Sequence, residues 1–244
     1  MKPYYQDDLV TLYHGDCLDV LPTLGDGWAD VIATDPPYGT RTDQRETFMV
    51  GEFANVMPLA LPIIHRAMKG DAAFYCFTSF KMMPDWLLRL QTYFKLQNII
   101  IWRKRGHAGI WSPSSWYFAW EAIFYGLKGK REMAEHFADV IETEERGKRA
   151  AMQKPVDIMQ KLIRASAHDG NTVCDPFAGT GSTLVAAKLL GRKVVGVEIE
   201  ESHCEIAAKR CAAEFDFTAN TQAEGRASRT LPRMVGGTIQ EDKR

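Results

Sequence analysis

The sequence predicts an α/β protein built on a mostly parallel, seven-stranded sheet with helices on both faces. Short apolar runs recur near 10–14, 30–34, 72–77, 96–102, 119–126, 171–175 and 193–198, and helical patterns lie between several of them, at 81–93, 155–167, 182–190 and 202–214. Strands alternating with helices in this way form a parallel sheet covered on both sides. The acids orient that sheet. Asp16, Asp35, Asp175 and Glu198 all fall at or just beyond the C-terminal ends of apolar runs. In an open α/β sheet those ends share the edge where ligands bind, so residues spread over about 180 positions converge on one cleft.

The run Val31-Ile32-Ala33-Thr34 ends on Asp35-Pro36-Pro37-Tyr38. A carboxylate, two prolines that stiffen the backbone while keeping their carbonyls as acceptors, and an aromatic ring suit a grip on one planar amino group. The exocyclic NH2 of a nucleobase is such a group. Its nitrogen shares its lone pair with the ring and must be reshaped before it attacks an electrophile. Asp35 accepts one N–H, the Pro36 carbonyl the other, and Tyr38 stacks on the base, provided these contacts strengthen in the transition state. The bland alternative is a proline turn after a buried strand, with Asp35 as its cap. The following segment, Gly39 to Phe53, reads as a loop that closes over the base or as an ordinary surface loop.

Farther along, Thr172-Val173-Cys174-Asp175 runs into Pro176-Phe177-Ala178-Gly179-Thr180-Gly181-Ser182-Thr183, then a helical stretch that Gly191 terminates. Val194-Val195-Gly196-Val197 follows and ends on Glu198. This βαβ unit lets a ligand approach the backbone at its first turn and delivers an acid at its second strand. A P-loop needs Gly-Lys-Ser/Thr where Gly181-Ser182-Thr183 stands, and a dinucleotide fingerprint needs glycine at Leu184. S-adenosylmethionine remains. Gly179 and Gly181 admit its methionine part, Glu198 accepts both ribose hydroxyls, and Asp175 either joins the site or orders the glycine turn.

With these motifs the chain resembles the amino-methylating DNA methyltransferases, which modify adenine N6 or cytosine N4. That family pairs an Asp/Asn/Ser-Pro-Pro-Tyr motif, matched by Asp35 to Tyr38, with a Phe-x-Gly-x-Gly motif, matched by Phe177 to Gly181. The catalytic motif precedes the cofactor motif, which resembles the circularly permuted beta class. Gly15-Asp16-Cys17 is similar to the segment whose acid meets the cofactor adenine, and Gln153-Lys154-Pro155 to the motif opening the helix before the cofactor strand. Ala150-Ala151-Met152 stands where His-Pro-Thr often leads that motif. The resemblance covers residues 8–215 and implies a Rossmann-like, S-adenosylmethionine-dependent fold. Asp35, Pro36, Pro37 and Tyr38 would be catalytic, and Asp16, Cys17, Lys154, Asp175, Phe177, Gly179, Gly181, Ser182, Thr183 and Glu198 would hold the cofactor. Aspartate at position 35 favours adenine, with cytosine N4 as the alternative. RNA or protein-glutamine methyltransferases, a catalytically silent nucleic-acid-binding module and a nicotinamide enzyme are the rival classes. Cytosine C5 chemistry needs a Pro-Cys nucleophile, and the sequence has no Pro-Cys pair.

Composition sets the remaining bounds. A chain of 244 residues, 45% hydrophobic, suits one core, read as a methyltransferase domain at 1–215 with a polar, flexible tail at 216–244. No apolar stretch reaches membrane-spanning length and the start lacks a signal-peptide core, so no membrane partner and a cytoplasmic location are expected. Five cysteines without a Cys-x-x-Cys pair read as free thiols, with no metal centre. At net charge −1, double-stranded DNA must be held by a local patch. Arg103-Lys104-Arg105 is the first candidate, Lys128 and Lys130 weaker ones, within an expected target-recognition insert at 103–152. A homodimer and a cognate restriction enzyme are partners the resemblance leaves open.

Overall fold

The computed structural model describes residues 1–37, 56–80, 82–104, 116, 119–143 and 153–213. Tyr38, Arg105, the segment 39–53 and the tail 216–244 lie outside the described residues. In chain order the elements are β1 (Tyr5–Gln6), β2 (Val10–His14), α1 (Cys17–Thr23), β3 (Ala29–Thr34), α2 (Val56–Ala67), β4 (Met68–Thr78), α3 (Met83–Leu90), β5 (Lys95–Arg103), β6 (Trp120–Leu127), β7 (Val140–Glu142), α4 (Val156–Ser166), β8 (Thr172–Asp175), α5 (Ser182–Leu189), β9 (Lys193–Glu198) and α6 (Glu201–Ala212).

The strands form one sheet in the order β1-β2-β9-β8-β3-β4-β6-β5-β7. Every expected run is a strand, but the described sheet has nine strands rather than seven. The two additions, β1 and β7, are two and three residues long, too short to leave a periodic signal, and each sits at an edge. The block β2-β9-β8-β3-β4 is parallel throughout. β6 runs antiparallel to both β4 and β5, and β1 antiparallel to β2. Strand β3 shows why the parallel block is central: all six of its residues are buried, as a strand covered on both faces requires.

Side chains alternate between the two faces. Ile32, Phe74, Cys76, Phe124, Cys174 and Val197 join Val20 and Leu21 of α1, Leu61 and Ile64 of α2 and Trp86 and Leu90 of α3 in one core cluster. On the other face Tyr75 stacks on Tyr125, with centroids 4.7 Å apart, and its hydroxyl lies 2.6 Å from Ser166 Oγ of α4. Helices α4, α5 and α6 pack on one another there. The cysteines are buried and unbridged. No helix among the described residues is long and apolar enough to cross a membrane.

Two consequences of this topology build the site. β8 and β3 are neighbours, and the next strand in sequence lies to opposite sides of the pair, β9 beside β8 and β4 beside β3. That is a topological switch point, where the loops leaving the two strands part and open a crevice. Because β6 is antiparallel, its start rather than its end reaches the same edge, with Ala122 opposite Thr78 at the end of β4.

Candidate active site

The glycine turn is organised by Asp175. Its Oδ1 accepts from Thr34 Oγ1 at 2.7 Å and from the Phe177 amide at 3.1 Å, and its Oδ2 accepts from Thr183 Oγ1 at 2.6 Å. Burial pushes its pKa up to about 6, against the hydrogen bonds from Thr183 and Thr34, which pull it down. Asp175 thus ties β3, β8 and α5 together, which is the turn-ordering reading of this residue. Thr183, whose hydroxyl donates to Asp175 and lies 3.4 Å from the Ala33 carbonyl, belongs to the same scaffold. Since the folded state takes up a proton more readily than the unfolded chain, stability should decline as pH rises from about 4 to about 6. The loss should be on the order of 3 kcal/mol, and the cost should then stay constant above that window. In the Asp175→Asn variant, denaturant melts across that range should show the slope flattened.

The two glycines play different parts. Both hold positive φ, +52° at Gly179 and +84° at Gly181. A Cβ on Gly179 would point into open space. A Cβ on Gly181 would lie 2.8 Å from Ala207 Cβ, so this glycine lets α6 approach the turn and does not face a ligand. Ser182 likewise serves the scaffold, its hydroxyl donating to the Lys154 carbonyl at 2.7 Å. Glu198, 8% exposed, accepts from the Gly179 amide at 2.6 Å and from the Glu200 amide at 2.9 Å, one on each oxygen. Each oxygen keeps a further lone pair for a hydroxyl donor. At the end of β2, Asp16 caps α1 by accepting from the Leu18 amide at 2.9 Å. Cys17 is buried in the core beside it, and burial pushes its thiol up to about 12, so a ligand meets only its backbone.

Across the switch point, Asp35 and Pro36 follow β3 directly. Lys154 Nζ donates to Asp35 Oδ2 and lies 3.2 Å from Glu121 Oε2. Burial works against the Lys154 charge, but Asp35 and Glu121 outweigh it and raise its pKa, so Lys154 is cationic. Its ammonium sits 5.1 Å from the centroid of the buried Phe77 ring. Lys154 thus meets Asp35 and Glu121 through its side chain and the glycine turn through its carbonyl, which accepts from Ser182. Arg210 of α6 supports the turn from behind, donating to the Thr180 carbonyl at 2.6 Å and reaching the Gln153 amide oxygen at 2.6 Å.

A protein-family profile described as DNA methylase, of the N6/N4 class, matches residues 29–145 and 124–209. This chain is an amino-methylating DNA methylase. S-adenosylmethionine is the methyl donor of the family, and the open space beside Gly179, the paired Glu198 oxygens and a turn without a phosphate-binding lysine fit that donor. A type II methyltransferase of Streptomyces caespitosus, M.ScaI, is 25% identical over 87% of this chain and 84% of its own length. The DNA adenine methyltransferase YhdJ of Escherichia coli is 23% identical over 93% and 90%. Among solved structures, the cytosine-N4-specific PvuII methyltransferase superposes with a TM-score of 0.72 at 17% identity, covering 92% of this methylase and 94% of the other.

The cations expected to meet DNA divide. Arg103 is 65% exposed and paired with Glu142 at 2.6 Å, and Lys130 is exposed. Lys104 turns inward to Glu121 at 2.5 Å and lies 5.4 Å from the centroid of the Trp102 ring. Lys128 is anchored in the fold, its ammonium donating to the carbonyls of His65 near the end of α2 and of Met68 at the start of β4, at 2.6 and 2.9 Å. Within 103–152, Trp120–Leu127 is strand β6 of the sheet, as the apolar run at 119–126 predicts. Glu121, unmarked in the sequence reading, stands at the centre of the site's charges. It begins an antiparallel strand, where a search confined to strand ends does not look.

Proposed function

We propose that this methylase modifies the N6 amino group of adenine in duplex DNA at a specific sequence, after turning the target base out of the helix. The observation that carries the reading is Asp35, first residue of the Asp-Pro-Pro-Tyr motif, standing at the switch point across from the glycine turn with its Oδ2 fixed by Lys154. In this family aspartate at that position goes with adenine more often than with cytosine. The match to YhdJ, named as an adenine enzyme, is in keeping with it.

S-adenosylmethionine, when bound, supplies a sulfonium methyl open to direct attack by nitrogen. Gly179 leaves room for it, Glu198 takes its ribose hydroxyls and Asp16 its adenine end. The target amino group is the weak partner. Asp35 accepts one of its N–H groups and the Pro36 carbonyl the other, which draws the nitrogen toward tetrahedral geometry and localises its lone pair. Tyr38 stacks on the base. As the nitrogen–methyl bond forms, the sulfur–methyl bond breaks and its electron pair leaves with a neutral thioether. The nitrogen becomes cationic, the carboxylate already hydrogen-bonded to it stabilises that charge as it grows, and the surplus proton then passes from nitrogen to Asp35 or to water. Positioning and electrostatics supply most of the acceleration, without a covalent enzyme intermediate. Extrusion of the base costs a few kcal/mol, drawn from contacts with the displaced nucleotide.

The test is transfer of labelled methyl to unmodified duplex DNA, followed by nucleoside digestion and mass spectrometry. N6-methyldeoxyadenosine is expected. N4-methyldeoxycytidine would reverse the base assignment, and label confined to RNA or protein would overturn the DNA reading. Arg103 and Lys130 remain the cations for phosphate contact, with Arg105 two residues beyond Arg103 in sequence. Arg103→Ala should weaken duplex binding similarly for all sequences and lower the slope of log affinity against log salt by about 1. Binding titrations at several salt concentrations read this directly, and an unchanged slope removes Arg103 from the contact.

A further inference from the structure

Lys104, Glu121, Lys154 and Asp35 form a row of alternating charges that runs from the end of β5, across the start of β6, to the loop after β3. The links are Lys104 Nζ to Glu121 Oε1 at 2.5 Å, Lys154 Nζ to Glu121 Oε2 at 3.2 Å, and Lys154 Nζ to Asp35 Oδ2. The row is largely withdrawn from solvent, with side-chain exposures of 23, 19, 10 and 21% from Lys104 to Asp35. It rests on an aromatic floor. Lys154 lies over Phe77 and Lys104 over Trp102, and those two rings meet edge to face with centroids 6.3 Å apart. Trp102 and Glu121 are register partners across β5 and β6, so floor and acid are set by the same backbone ladder.

An ammonium on a four-carbon stem is a poor orienting device on its own, because it rotates freely about several bonds. Two carboxylates, one on β6 and one just beyond the end of β3, remove that freedom. We infer that Glu121 is a positioning residue for methyl transfer, anchoring the Lys154 ammonium so that Lys154 in turn fixes the orientation of the Asp35 carboxylate toward the target amino group. The inference rests on Asp35 being the acceptor of that amino group. It assigns Lys154 to the target base rather than to the methyl donor, with its carbonyl bound to Ser182 as the link between the two halves of the site. Lys104, on the solvent side, holds Glu121 in place.

The experiment is a double-mutant cycle on Asp35 and Glu121. Glu121→Gln keeps the shape of the side chain and removes its charge. It should lower kcat about tenfold or more, while KM for duplex DNA and the calorimetric Kd for S-adenosylmethionine change less than about twofold. Because Glu121 acts through Asp35, adding Glu121→Gln to Asp35→Asn should cost nothing further. Glu121→Asp, which restores the charge on a shorter arm, should recover part of kcat. A Glu121→Gln enzyme with wild-type kcat, or effects that simply add, would overturn the inference while leaving Asp35 in its role. Full activity in Asp35→Asn would instead overturn the reading of Asp35 itself. Should Glu121→Gln not fold, Lys104→Met loosens the same acid from its outer side, and it must show the same fall in kcat at constant Kd or the inference fails.

Discussion

Asp35→Ala should reduce methyl transfer to DNA by at least 10²–10³-fold, the range seen when a hydrogen-bonding group aimed at developing charge is removed. The carboxylate would no longer draw on the amino nitrogen, and the target would revert to a planar, unreactive amine. Affinity for S-adenosylmethionine should stay within about twofold, since the glycine turn is ordered by Asp175 while Glu198 and Asp16 stand at the ends of other strands. The fold should also survive: Lys154, deprived of one carboxylate, keeps Glu121 at 3.2 Å and the Phe77 ring beneath it. Single-turnover transfer measured beside calorimetric cofactor binding separates the two quantities. Normal turnover would sink the catalytic assignment, and lost cofactor affinity would move Asp35 to the donor side of the site.

The second large effect contrasts the two glycines. Gly179→Val places a branched side chain in the open space before the turn, and should lower S-adenosylmethionine affinity more than tenfold while the protein stays folded. Its left-handed backbone adds a strain of roughly 1–2 kcal/mol. Gly181→Ala adds only a methyl group, yet that methyl would sit 2.8 Å from Ala207 Cβ and 3.1 Å from Ala207 Cα, so α6 must move. It should destabilise the protein by the same backbone strain plus the repacking of α5 against α6, typically 1–3 kcal/mol for overpacking. Thermal melts and cofactor titrations on both variants should show opposite patterns, binding lost first at 179 and stability lost first at 181. Equal losses in both would mean that the turn faces no ligand.

These contrasts mark how far the sequence carries the structure. Seven strands were legible because each is a continuous apolar run bounded by polar or glycine residues, the helices α3 and α4 because their apolar stripes are regular, and α5 because a glycine turn opens it and Gly191 closes it. α1 and α2 were not marked: α1 has seven residues with Pro22 inside it, and α2 carries Pro62 in its interior, so both break the pattern that signals a helix. At the site, Asp35, Asp175, Gly179 and Glu198 could be placed in one cleft because parallel strands send their ends to a common edge. What could not be read was division of labour. Asp175, Ser182, Thr183 and Gly181 share a motif with Gly179, yet their partners are other parts of the protein. Lys104 read as part of the Arg103 segment and Lys128 as a weaker phosphate candidate, but their partners, Glu121 and the carbonyls of His65 and Met68, are set by tertiary contacts absent from any local pattern.

The strand order carries a consequence for how this methylase comes into being on the ribosome. β2 and β3 are close in sequence but are separated in the sheet by β9 and β8, which are synthesised some 140 residues later. Until that last βαβ unit emerges, the inner edges of β2 and β3 have no partners, and half of the cleft does not exist. Contacts of such long sequence separation close slowly. A nascent chain at that stage therefore holds Asp35 but no glycine turn, and it should stay catalytically silent until β8 and β9 slide into the middle of the sheet.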